Sequence, residues 1–76
     1  MIYKIKNVAI DTAKELAEEL GDRVIASLTF TDADCVDLEI DPAITILRIN
    51  DGNITIDRGG VLYTILPSDY SSLVIT

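Results

Sequence analysis

The chain has 76 residues, 49% of them apolar, one cysteine, no histidine and a formal net charge of −7. That length holds one domain with a modest core, and the charge opposes direct nucleic-acid binding, which depends on neutralising phosphates with Lys and Arg. A lone Cys35 leaves no intrachain disulfide, and without histidine a zinc site has no ligand set; Cys35 reads as a small half-buried residue.

Met1 to Lys6 alternates Tyr3 and Ile5 against Ile2, Lys4 and Lys6, a short strand with one wetter face. Asn7 to Ile10 leads out of it. Thr12-Ala13-Lys14-Glu15 fits a capping box, with Asp11 as the alternative cap. Ala13, Leu16, Ala17 and Leu20 then recur on one stripe, which predicts an amphipathic helix near residues 12–20 stopped by Gly21. So short a helix needs a sheet to dock on.

Arg23 to Thr31 reads as the next strand, with Val24, Ala26, Leu28 and Phe30 as its core row. After the Asp32-Ala33-Asp34 turn, Val36, Leu38 and Ile40 point inward from a second short strand. Asp37, Glu39 and Asp41 then share the opposite face, where like charges repel, so the row is expected at a solvent-exposed sheet edge. Asp41-Pro42 ends that strand.

From Ala43 to Pro67 the chain reads as three strands on two tight turns. Asn50-Asp51-Gly52-Asn53 tolerates the positive φ of a two-residue hairpin, and Asp57-Arg58-Gly59-Gly60 makes the second turn. Pro67-Ser68-Asp69 breaks the third strand, and Leu73 to Ile75 forms a last one. The expected fold is α+β: a mostly antiparallel sheet of five to six strands, as a small sandwich or barrel, with one helix packed on it.

No catalytic constellation is present. There is no triad histidine, no nucleophile elbow and no phosphate loop, and Gly59-Gly60 is a turn. The acids from Asp32 to Asp41 do not follow a calcium-loop pattern, since Val36 and Asp37 fall where an acid and a glycine are needed. We therefore expect no metal, no cofactor and no enzymatic activity. No run approaches the roughly 18–20 apolar residues of a membrane span, and no apolar leader precedes the charged helix, so a cytoplasmic, unsecreted protein is expected. Residues 7–41 carry ten acids against Lys14 and Arg23, whereas the remainder is nearly balanced.

The segment SLTFTDADCVDLEI followed by ILRINDGNITIDRGGVLYTILPSDYSSL resembles small β-sandwich proteins of tailed phages, akin to the N-terminal domain of the phage baseplate upper protein. Thr29 to Asp34, Asp37-Leu38, Ile54 to Asp57 and Leu73 stand in that pattern. Cys35 replaces a usual glycine, the stretch between Leu38 and Ile44 is short, and the N-terminal strand and helix lie outside the pattern. The resemblance implies a virion structural or accessory role, such as capsid decoration or tail attachment, through protein partners and self-association. Two contact sites are expected: the acidic face Asp37, Glu39 and Asp41, and the terminal strand and loop, with Tyr70, Leu73, Val74 and Ile75 free to add to a neighbouring sheet edge. The alternative is a phage or mobile-element inhibitor of the anti-CRISPR kind, its acidic face mimicking nucleic acid.

Overall fold

The computed structural model describes residues 1–76. The chain folds as α+β, with seven strands in two wholly antiparallel sheets and one α-helix. Strands β1 (Tyr3–Ala9), β2 (Ile25–Phe30), β3 (Cys35–Ile40) and β7 (Ser72–Ile75) form the first sheet, in the order β2-β3-β1-β7. Strands β4 (Ile46–Asn50), β5 (Asn53–Arg58) and β6 (Val61–Ile65) form the second as a simple meander. The expected five or six strands thus become seven, divided between two sheets.

The meander follows from local backbone chemistry. Asp51 and Gly52 take φ of 51° and 80°, and Gly59 and Gly60 take 58° and 92°, which closes both two-residue hairpins with the twist their strands require. Asn50 then faces Asn53, and Arg58 faces Val61. The register puts Ile54, Ile56 and Ile65 on the inner face, all fully buried.

Helix α1 (Ile10–Leu20) starts three residues earlier than the Thr12 capping box predicts. Ala9 is the N-cap and no side chain caps the end, while the Ile10 N–H donates to the Asp34 carbonyl at 2.8 Å. Glu15, the expected reciprocal partner of Thr12, instead accepts a 3.3 Å hydrogen bond from the Tyr63 hydroxyl. The stripe itself is as expected: Ala13, Leu16 and Leu20 are buried and Ala17 half-buried. Gly21, at φ 90° and ψ 151°, turns the chain out of the helix with extended rather than helical ψ.

Bulges change the phase of two strands. In β1, Lys6 and Asn7 both oppose Asp37, so Ile5 and Val8, three residues apart, both reach the core; Asn7 carries the strain at φ 54°. In β2, Ala26 is the extra residue between Ile25 and Ser27. The predicted core row of β2 fails here. Val24 is buried, but it lies in a 3₁₀ turn (Asp22–Val24), and Ala26, Leu28 and Phe30 are all exposed.

The core comprises Ile5, Val8, Ala13, Leu16, Leu20, Val24, Val36, Leu38, Ile40, Ile54, Ile56 and Ile65. Both sheets and the helix contribute to it. The helix packs on β1, β3 and β6. No helix is long and apolar enough to cross a membrane.

Candidate interaction surface

The three acids singled out by sequence alternation occupy the outer face of the first sheet or its margin, but the strand bearing two of them is interior. β3 lies between β2 and β1, not at an edge, because β1 comes back to pair with it. The like-charge repulsion that suggested an edge is relieved by lysines on the neighbouring strand. Lys4 Nζ lies 3.5 Å from Glu39 Oε1, and Lys6 Nζ lies 3.9 Å from Asp37 Oδ2. Asp37 Oδ1 also accepts the Asn7 N–H at 2.9 Å, which satisfies the bulged backbone. Asp41 is occupied by its own turn: its Oδ1 accepts the Ala43 N–H at 2.9 Å, and its carbonyl accepts the Thr45 hydroxyl.

The terminal-strand residues separate. Leu73 faces Ile5 and Ile75 faces Tyr3, on the inner side, while Val74 faces Lys4 on the outer side beside Glu39. Tyr70 is half-buried, and its hydroxyl donates to the Gly52 carbonyl at 2.6 Å, tying the approach to β7 to the first hairpin turn. The structure therefore sets Val74 on the same outer face as Asp37 and Glu39, with β1 between them, and places Tyr70 and Leu73 against the core. β7 completes its own sheet through β1, and only its far edge is open.

A different surface was hidden in the sequence. Leu28 faces Leu38 and Phe30 faces Val36, so both share the inner face with fully buried partners; yet Leu28 is 44% and Phe30 67% exposed. Helix α1 stands off from β2. It is held toward the second sheet by Arg58, whose Nη1 donates to the Leu20 carbonyl at 2.6 Å, and by the Tyr63–Glu15 bond. The Arg58 bond satisfies an orphan carbonyl at the helix end and places a cation where the helix dipole favours one.

The resulting groove between α1 and β2 has a volume of about 390 Å³. Ile10, Ala13, Ala17, Ile25, Leu28 and Phe30 give it an apolar lining, and Lys14 and Asp22 are its only charged residues. Sequence pattern had no means of finding it, because a covered and an uncovered strand alternate identically. A second depression, between the 42–46 segment and the Gly59-Gly60 turn, is mixed in character.

No buried side-chain polar atom is left without a partner, and no three His, Cys, Asp or Glu side chains converge. One ionisable group is clearly displaced: the Tyr63 hydroxyl is pushed up from 10.0 to about 12, first by burial and then by the Glu15 carboxylate beside it. That environment keeps it a neutral donor. What the surface offers is apolar contact area and an open strand edge. No family model, curated protein or solved structure matches the chain.

Proposed function

We propose that this protein is a small acidic, non-catalytic assembly component that acts through protein contacts and associates with copies of itself. One observation carries the reading. Eleven large apolar side chains remain exposed on a 76-residue chain, among them Leu28, Phe30, Ile46, Ile49, Leu62, Leu66 and Ile75. Single exposed apolar residues are ordinary, but groups of them on so small a domain mark contact surfaces. The role is of the structural or accessory type that the tailed-phage resemblance implies, as in capsid decoration or a tail or baseplate part.

The inhibitor reading needs an unpaired acidic row. Asp37 and Glu39 face lysines at 3.9 and 3.5 Å and Asp41 is engaged in a turn, so that row supports mimicry less than the apolar surface supports assembly. Light scattering and sedimentation on the purified chain, from about 10 μM to about 1 mM, test the proposal, since contacts of modest area often dissociate in that range. Mass should rise with concentration. A strict monomer throughout would sink self-association.

A further inference from the structure

Strand β2 is an edge of the first sheet, and nothing in the chain covers it. Natural edge strands carry charges, prolines or bulges that discourage pairing. From Ser27 to Thr31, SLTFT, there is no charge and no proline, and the bulge at Ala26 lies before this stretch. The Thr31 N–H donates to the Cys35 carbonyl at 3.1 Å. Antiparallel alternation then directs the backbone groups of Thr29 toward β3 and leaves those of Leu28 and Phe30 on the open side. The two residues that expose apolar side chains are therefore the two that offer hydrogen bonds.

We infer that β2 pairs with β2 of a second copy, antiparallel and centred on Thr29, to join two four-stranded sheets into one. This deepens the assembly reading above and rests on it. In that register Leu28 of each copy exchanges backbone bonds with Phe30 of the other, and the bulged Ala26 is left outside the new ladder. A two-fold axis through Thr29 runs perpendicular to the sheet. Both inner faces then lie on the same side, and the two grooves merge into one, filled by both copies of Leu28 and Phe30.

Charge limits where two copies can meet and sets the direction. The chain carries −7, so copies repel generally and must meet where charge is absent. The strip Ile25 to Thr31 meets that need, being uncharged. Its flanks hold Asp22 and Arg23 at one end and Asp32 and Asp34 at the other. Parallel pairing would set the two acidic turns side by side. Antiparallel pairing keeps them apart and brings each Arg23 toward the other copy's Asp34. An isologous contact of this kind closes on itself, so it stops at a dimer.

The test uses the full chain. Phe30→Glu and Leu28→Lys should each weaken dimerisation at least about tenfold by sedimentation, as expected for central anchors, with the circular dichroism spectrum unchanged. In a Cys35→Ser background, Thr29→Cys should form a disulfide-linked dimer under mild oxidation, because Thr29 would face its own copy at a non-hydrogen-bonded site. Ser72→Cys, on the opposite edge strand, should not. If the native chain associates but neither charge variant weakens it, or Thr29→Cys stays monomeric while Ser72→Cys cross-links, the interface is elsewhere and self-association stands. If the native chain is monomeric at every concentration, both readings fall.

Discussion

β2 and β3 are neighbours in one sheet, similar in length and each alternating apolar with polar residues, yet they have opposite fates. Every second residue of β3 is buried: Val36, Leu38 and Ile40 are at most 1% exposed. Their cross-strand counterparts Phe30 and Leu28 remain in solvent. Alternation decides which face a side chain takes; whether that face is covered depends on where the helix lies. Here Arg58 and Tyr63 hold the helix toward the second sheet, and β2 is left bare.

Truncating two leucines that face each other separates the two strands most clearly. Leu38→Ala should destabilise by about 2–5 kcal/mol, because the site cannot collapse around the lost atoms. In the monomer, Leu28→Ala should cost about 1 kcal/mol or less, since nearly half of the side chain is already in water. Chemical denaturation at concentrations where the chain is monomeric measures both, and equal losses there would mean that β2 is covered within the single chain.

Arg58→Ala tests what holds the helix in place. It leaves the Leu20 carbonyl unpaired at the helix end, and a loss of about 1–2 kcal/mol is expected. Gly21 shares this corner: a Cβ there would come within 2.5 Å of Arg58 Nη1, so Gly21→Ala should lose the same bond in addition to straining φ.

Tyr63 gives a pH signature. Its folded pKa lies above the ordinary value of 10.0, so the folded state holds the proton more tightly than the unfolded state does. The contribution is complete below pH 10 and is lost as pH rises from there through about 12. Tyr63→Phe should flatten that part of the alkaline stability profile relative to the native chain. The smallest effect belongs to the outer face. Glu39→Gln should change stability by less than about 0.5 kcal/mol, and added salt should shrink even that.

Much of the scaffold is legible in the sequence, and the reasons are local. Asp51-Gly52 and Gly59-Gly60 fix hairpins because few other residues accept their φ angles, and the Ala13-Leu16-Leu20 stripe needs only helical geometry. The strand β3 is equally plain in Val36, Leu38 and Ile40. What escapes is set by distant partners. The bulge at Asn7 extends β1 to Ala9 and leaves no room for a capping box at Thr12; the spacing of Ile5 and Val8 is its only trace. Asp37 and Glu39 look like an edge row until Lys4 and Lys6 are known to lie beside them. Leu28 and Phe30 look like core for the same reason: the order of strands is not written in any one of them.

Strand order also sets the sequence of folding events. The meander closes by turns of two residues, so β4, β5 and β6 can zip up as soon as they collapse. In the first sheet only β2 and β3 have such a shortcut, the short turn at residues 31–34. β1 is flanked on one side by β7, so Tyr3 meets Ile75 only after nearly the whole chain has been brought round, and the loop-closure entropy is spent before any contact repays it. Until then the β1 edge is open and Ile5 is uncovered by Leu73. A slow final docking of β7 is expected, and during that interval the half-made sheet, not the finished one, is the species most prone to aggregate.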